Sequence, residues 1–211
     1  MPTKTTLLEA VNVLLTNIGE QPVDSLNNEQ VLDARIAEDT LIEFLKEGQL
    51  RGWSWNTEYA YPFEVDTDQQ IVLPGNLIRW SPDPYAYGRQ YIQRGKRVYD
   101  KGNRTYKFDS TVTHINADVV WMLSWDDCPE AFTRWTTIRA ARVFSDRTLT
   151  NEALFKYTMN DEMSAKAELD RIEHETQQSN FLTDGAGIGP FPTYIPATGL
   201  ANRRVGSYWR V

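Results

Sequence analysis

A basic, aromatic segment is the part of this sequence best suited to bind a ligand. Between residues 85 and 107, seven bases accompany a single acid, Asp100, and five tyrosines are interleaved with them. Bases bind phosphates and aromatic rings stack on nucleobases, so the pattern fits a nucleic-acid site. In a β-hairpin, however, the same alternation places bases on a solvated face and tyrosines on a packed face, which requires no ligand. The segment comprises Arg89, Arg94, Lys96, Arg97, Lys101, Arg104 and Lys107 with Tyr85, Tyr87, Tyr91, Tyr99 and Tyr106.

Paired carboxylates are a second chemical possibility. A glycoside hydrolase needs two acids beside a cleft, and this chain has seven tryptophans that could line one. The available acids are Asp66, Asp68 and the adjacent pairs Asp126-Asp127 and Asp161-Glu162. Nothing in the sequence fixes their separation, and adjacent acids are common on the solvated faces of an acidic chain.

Motifs of nucleophilic catalysis and nucleotide binding are missing from the sequence. It contains no G-x-S-x-G elbow, no Walker loop and no G-x-G-x-x-G after a predicted strand. The single cysteine, Cys128, is predicted to be a small buried side chain, and two histidines add little to a metal site. We therefore expect no catalytic residue, no cofactor and no metal.

The composition indicates a folded chain with unevenly distributed charge. Hydrophobic residues make up 41% of the 211 residues, enough for a core. The net charge is -7, and residues 27–50 and 150–178, which have helical patterns, are each net -4. No apolar run approaches the roughly 20 residues of a membrane span, and the N-terminus lacks a secretory signal pattern. We expect synthesis in the cytoplasm.

Four helices are predicted from capping residues and apolar periodicity. Thr6 and Glu9 have the spacing of a capping box, and Gly19 is expected to end this first helix. Asn27 or Asn28 is the expected cap of the second, and the third begins near Pro129. The fourth, capped by Thr150 or Asn151, is expected to pack through Leu154, Phe155, Met159, Met163, Leu169, Ile172 and Thr176.

Short strands are predicted between the second and third helices, where the chain is rich in Trp, Tyr, Val and Ile and is punctuated by Pro and Gly. Gly95 favours a tight hairpin. The predicted strands are Glu58–Val65, Gln70–Leu73, Leu77–Trp80, Gln90–Gln93, Arg97–Asp100, Lys107–Thr111 and Val119–Leu123.

These elements predict an α+β fold: an antiparallel bundle of about four helices with an inserted antiparallel β domain and an extended C-terminal tail. The expected domains are 1–56 and 127–179 for the two halves of the bundle, 57–126 for the β domain, and 180–211 for the tail.

Four strings occur in order between about Leu7 and Phe144. They are Asn17 to Val23 (NIGEQPV), Arg51 to Asn56 (RGWSWN), Tyr91 to Gly95 (YIQRG) with Tyr99-Asp100, and Cys128 to Phe132 (CPEAF). Through them the sequence resembles the tail tubular protein A family of T7-like short-tailed phages. The fourth helix is similar in character only, and the resemblance does not extend past Ser179.

The resemblance implies a structural virion protein of the bacteriophage tail. Proteins of this kind form an oligomeric adaptor ring, of twelve copies, that connects the portal protein of the head to the nozzle, tail tubular protein B. DNA passes through the ring during ejection without specific binding, and neither catalytic residues nor a membrane is involved. Twelve copies at -7 would carry about -84, which favours sliding of the duplex.

Two groups of residues are singled out for this role. Gly19, Pro22, Gly52, Trp53 and Trp55 are candidate structural hinges and anchors, with the tryptophans expected to bury the junction between bundle and β domain. The candidate assembly interface comprises Arg94, Lys96 and Arg97 of the hairpin with Phe191, Tyr194, Arg203, Arg204, Tyr208 and Trp209 of the tail. Two alternatives stay open: a tail-associated polysaccharide hydrolase acting on the host envelope, and a DNA-binding module that uses Arg89 to Lys107.

Overall fold

The structure is a computed structural model and describes residues 4–26, 32–82, 91–148 and 158–177. These residues form two compact units. The helical unit draws on Met1–Thr57, Pro74–Arg79 and Val120–Glu173, and the β unit on Glu58–Leu73, Trp80–Val119 and the described residues from His174 onward. The predicted four-part domain division stays a prediction, since 180–211 lies outside the described residues.

Four α-helices and five strands occur among the described residues, which confirms the predicted α+β class. The strands form a three-stranded sheet in the order β1-β5-β2 and a two-stranded sheet of β3 and β4. In chain order the elements are α1 (Leu7–Ile18), α2 (Leu32–Gln49), β1 (Thr57–Glu64), β2 (Leu77–Pro82), β3 (Tyr91–Arg94), β4 (Arg97–Asp100), β5 (His114–Trp121), α3 (Glu130–Thr148) and α4 (Met159–Gln177).

Helices α1, α2 and α3 pack against one another around the core of the helical unit. The predicted capping box starts α1: Thr6 Oγ1 accepts from Glu9 N, and Thr6 N donates to the Glu9 carboxylate. On α2, residues at intervals of three and four are buried, namely Ala34, Ala37, Leu41, Phe44 and Gly48. The largest fully buried side chains of this core are Leu14, Leu15, Leu41, Phe132, Phe144 and Leu169.

The predicted packing stripe of the fourth helix is wrong in part. Met159 and Met163 are 67% and 61% exposed, whereas Leu169 is buried. Helix α4 packs on the core through Leu169 and is also held by ion pairs, since Glu162 pairs with Arg142 Nε at 2.8 Å and with Arg139 Nε at 3.6 Å. An apolar periodicity cannot reveal a helix face that packs by ion pairs. The predicted caps Thr150 and Asn151, with Leu154 and Phe155, lie outside the described residues.

Two of the predicted strands are not strands. In Gln70–Leu73 only Val72 forms a ladder bridge, to Arg97. The segment is short because a turn that begins at Asp66 precedes it and Pro74 follows it. Lys107–Thr111 runs into a turn, in which Val112 N donates to Asp109 O at 2.9 Å.

The last strand begins earlier than predicted. The expected strand was Val119–Leu123, whereas β5 spans His114–Trp121. The strand ends before Leu123 because the backbone of Leu123 bonds to the side chain of Gln49 rather than to a neighbouring strand. Of the remaining strands, Arg97–Asp100 is as predicted and β1 and β3 are displaced by one residue.

Candidate assembly surfaces

A two-residue turn joins β3 to β4 in the predicted hairpin. Arg94 pairs with Arg97 across the turn, and Gly95 has a φ of 61°. A Cβ at Gly95 would meet nothing within 4 Å, so glycine is required for its backbone conformation rather than for space. The turn fixes the register that decides which side chains share a face.

One face of the hairpin is packed. Tyr91 lies opposite Asp100 in the register, and Tyr91, Val98 and Asp100 are all buried. The Tyr91 ring meets Phe108 edge to face, with ring centroids 5.5 Å apart. Backbone bonds from Val98 N to Ile71 O and from Leu73 N to Lys96 O support the far edge of β4.

The other face carries arginines stacked on tyrosines. The guanidinium of Arg94 lies 3.7 Å from the ring centroid of Tyr99, and that of Arg97 lies 4.6 Å from the centroid of Tyr106. The two tyrosine rings meet edge to face at 4.9 Å. The expectation that all tyrosines lie on the packed face is therefore wrong for Tyr99, which shares the solvated face with the bases. Alternation from Arg97 to Tyr99 places them together.

Other exposed bases occur in and after the hairpin. Asp100 holds the loop after β4, because its carboxylate accepts from Asn103 N and Asn103 Nδ2, each at 3.0 Å. Arg97 is further fixed by a 3.0 Å bond from Nη1 to Gln70 Oε1. We call the exposed bases of this region the basic face: Arg94, Lys96, Arg97, Lys101, Arg104 and Lys107. Tyr85, Tyr87 and Arg89 lie outside the described residues.

Gly19 ends α1 as predicted. It adopts a left-handed conformation with φ 86°, while Gly19 N and Glu20 N donate to Thr16 O and Leu15 O as in a Schellman motif. The chain is then fastened by a side chain that sequence reasoning missed. Asn12 bonds to both backbone groups of Val23, with Nδ2 to O at 2.9 Å and Oδ1 to N at 2.8 Å. Pro22 is exposed within the loop so formed.

Gly52 is constrained both by conformation and by space. Its φ is 80°, and a Cβ would lie 2.6 Å from Arg79 Nη2 and 3.1 Å from Val120 Cγ2. Trp53 follows it into the core of the helical unit, with Nε1 donating to Gly48 O at 2.9 Å.

Trp53 and Trp55 stack on each other with ring centroids 6.5 Å apart, and both contact Phe132. Lys166 Nζ lies 4.9 Å from the centroid of the Trp53 ring. These contacts belong to the helical unit. The expectation that the two tryptophans bury a junction with the β domain stays a prediction.

A buried amide clamp, made by Gln49 and Asn56, was not predicted. Gln49 Nε2 and Oε1 bond to Leu123 O and N at 3.0 and 2.8 Å. Asn56 Oδ1 accepts from Trp53 N at 2.7 Å, and its Nδ2 donates to Gln49 O and Trp121 O. The clamp fastens the chain where it leaves the helical unit and where it returns. The signal available in the sequence was Gln49, an amide side chain at the end of the apolar stripe of α2.

The tail residues of the predicted interface, Phe191, Tyr194, Arg203, Arg204, Tyr208 and Trp209, lie outside the described residues. The hairpin residues Arg94 and Arg97 are brought together by the register, with Lys96 between them in the turn.

The sequence profile of the tail tubular protein family matches residues 8–179. The chain belongs to the tail tubular protein family. No curated protein matches the chain. Family membership makes it a structural component of the phage tail. Within the described residues, no helix is both long and apolar enough to cross a membrane.

The string from Asn17 to Val23 has a structural role in this tail tubular protein. Asn17 is buried, and its Nδ2 donates to Ala141 O at 3.1 Å and to Ser145 Oγ. The string therefore ties α1 to α3 and then ends α1 at Gly19.

The acids considered for hydrolysis have local roles in this tail tubular protein. Asp127 accepts from Ser124 Oγ at 2.6 Å, and both Asp126 and Asp127 are exposed. Asp66 Oδ1 accepts from Asp68 N and Gln70 N in a turn. Asp161 accepts from the backbone and hydroxyl of Thr158 ahead of α4, which holds the pKa of its carboxyl below its ordinary value.

Cys128 is buried as predicted. Its Sγ lies 3.2 Å from Ser124 O, and burial raises the pKa of the thiol to about 12. A thiol with this pKa is protonated at neutral pH and does not act as a nucleophile. Among the residues that the structure describes, no group of three His, Cys, Asp or Glu side chains is arranged to hold a metal ion.

Proposed function

We propose that this tail tubular protein forms an adaptor ring that joins the portal protein to the nozzle protein and lets DNA pass through its lumen. Each subunit supplies a rigid helical unit and a basic face, and subunits associate side by side. The ring is proposed to contain twelve copies, as the sequence resemblance implies. Its net charge is strongly negative, so duplex DNA is repelled from the wall and slides without specific binding.

The observation that carries the proposal is the presence of opposite charges at different places on one chain of this family. Residues 91–109 carry six bases and two acids, of which Asp100 is buried, whereas the whole chain is net -7. A heterologous interface, in which two different surfaces of neighbouring copies complement each other, generates a ring when the rotation between copies closes. Charge complementarity also fixes the register of neighbouring copies.

The C-terminal tail is proposed to hold the neighbouring subunit or the portal. Support comes from its composition, because Phe191, Tyr194, Tyr208 and Trp209 are aromatic anchors of the kind that dominate interfaces. Arg203 and Arg204 would guide the tail to an acidic partner.

The proposal is tested by supplying altered chains to a phage that lacks its own copy. Wild-type protein is expected to restore tailed particles, whereas its omission leaves DNA-filled heads with a portal and no nozzle. A chain without residues 193–211 is expected to melt as wild type does but to restore few tailed particles. A matched full-length chain with Phe191, Tyr194, Tyr208 and Trp209 changed to Ala tests the anchors alone. Normal tails formed without any copy of the chain would refute the adaptor role.

A further inference from the structure

We propose that the basic face binds the exposed acidic face of helix α4 in a neighbouring copy of the same chain. This inference rests on the proposed ring and names the surfaces through which its subunits meet. The exposed carboxylates Asp161 and Glu168 lie on one side of α4, and we call that side the α4 face.

The stacking on the basic face favours carboxylates over nucleobases. Arg94 covers a face of the Tyr99 ring and Arg97 covers a face of the Tyr106 ring, while the two rings meet edge to face. Ring faces occupied in this way are poorly placed to stack on bases. Stacking leaves the N–H edge of a guanidinium directed away from the ring, which suits bidentate bonding to a carboxylate. The arginines are also held in place before binding, so less side-chain entropy is lost.

The α4 face offers matching groups. Asp161 and Glu168 are seven residues apart, which places them on one side of the helix about 10 Å from each other. Asp161 bonds to Thr158 and Glu168 bonds to Arg171, so both carboxylates are oriented yet remain exposed. A carboxylate accepts about four hydrogen bonds and can accept more than these.

Helix α2 is a weaker partner for the basic face. Its exposed acids are Asp39, Glu43 and Glu47, of which the last two are paired with Arg147 and Arg139 of the same chain. Its exposed side also carries Arg35 and Lys46, which would repel the basic face. On α4 the exposed acids Asp161, Glu168 and Glu175 are accompanied by a single exposed arginine, Arg171, so this helix presents the larger excess of negative charge.

The contact is tested by cysteine cross-linking in rings assembled on the portal. Lys96→Cys and Glu168→Cys in one chain are expected to give a ladder of cross-linked oligomers with a short bismaleimide. Each single variant is expected to give dimers at most. Cys128 should stay silent because its thiol is buried. The matched control is Lys96→Cys with Glu43→Cys, which places the second thiol on α2 and is expected to give no ladder.

Charge reversal is an independent test of the contact between the basic face and α4. Arg94→Glu with Arg97→Glu is expected to weaken assembly about a hundredfold, since it brings like charges together. Adding Asp161→Arg and Glu168→Arg to the same chain is expected to restore assembly, because every interface of the ring is then reversed. Circular dichroism of each variant confirms that it is folded.

The outcomes separate this inference from the adaptor proposal. Failure of wild-type protein to form any ring on the portal would overturn both. Complete rings with no ladder from the Lys96/Glu168 pair, or a ladder from the Glu43 control alone, would overturn only the contact with α4. Loss of duplex DNA binding at low salt in the Arg94→Glu, Arg97→Glu variant, with rings intact, would instead assign the basic face to nucleic acid.

Discussion

Replacing Asn56 by alanine is expected to destabilise the helical unit by roughly 3 kcal/mol. Asn56 is 2% exposed and makes three hydrogen bonds, to Trp53 N, Gln49 O and Trp121 O. Each lost bond costs about 1 kcal/mol, and a buried group left without a partner adds to that. Because the free energy of unfolding of a native protein is about 5–15 kcal/mol, the side chain of Asn56 alone would supply a large share of it.

The measurement is urea unfolding followed by tryptophan fluorescence, with thermal melting as a second reading. For a chain of this length, 3 kcal/mol corresponds to a fall of roughly 6–12 °C in Tm. Asn160→Ala is the matched control, since Asn160 is exposed on α4, and a change within about 0.5 kcal/mol is expected there. Hydrogen exchange should show faster exchange at Trp53 than at residues of α1.

The clamp hypothesis also predicts coupling. Gln49 binds Leu123 while Asn56 binds the backbone of Gln49, so the two side chains stabilise one arrangement. The double variant with Gln49→Ala should therefore lose less stability than the sum of the single variants. A loss below 1 kcal/mol for Asn56→Ala, or strict additivity of the two, would refute the reasoning.

Three further predictions concern other parts of the helical unit. Gly48→Ala should destabilise the protein by about 1–3 kcal/mol despite the better helix propensity of alanine, because the new Cβ would lie 2.9 Å from the Phe132 and Trp135 rings. Gly75→Ala is the control, since a Cβ at Gly75 would meet nothing within 4 Å. A Gly48→Ala variant more stable than wild type would contradict this packing. Glu162→Gln should lower the urea midpoint and weaken its salt dependence, since Arg142 and Arg139 lose their shared partner, whereas exposed Glu168→Gln should change little; equal effects would argue against a special role for Glu162. Cys128 should resist a thiol reagent in the folded protein at pH 8, and rapid labelling of the folded protein would show instead that the thiol is accessible. Burial raises the pKa of this thiol from 9.0 to about 12. The contribution of the buried thiol to the free energy of unfolding should therefore be complete below pH 9 and decline between pH 9 and 12.

The fold class was predictable because its signals are local. A capping box at Thr6 and Glu9, a left-handed glycine at Gly19 and a glycine in the hairpin each act within a few residues. The core stripe of α2 was predictable for the same reason, since it follows the helical period.

The missed features depend on partners far apart in sequence. Gln49 meets Leu123 across 74 residues, and no local pattern connects them. The face of α4 was mispredicted because Glu162 is satisfied by arginines of α3, so an acid lies inward and two methionines lie outward. Periodicity assigns residues by polarity and cannot include such a pairing.

The hairpin lies between these cases. The presence of a tight turn was predictable from Gly95, but the exact register and the stacking of Arg94 on Tyr99 were not, because the stacking depends on rotamers that the sequence does not specify. The stacking changes how the surface is interpreted, since it leaves guanidinium edges rather than ring faces for a partner.

The most direct test of the adaptor hypothesis is the mass and negative-stain image of the purified protein, alone and after mixing with the portal of the same phage. The hypothesis predicts complete rings on the portal, with a mass gain equal to a whole number of 24.3 kDa subunits consistent with twelve. A protein that leaves the mass of the portal unchanged, and forms no ring there, would contradict it.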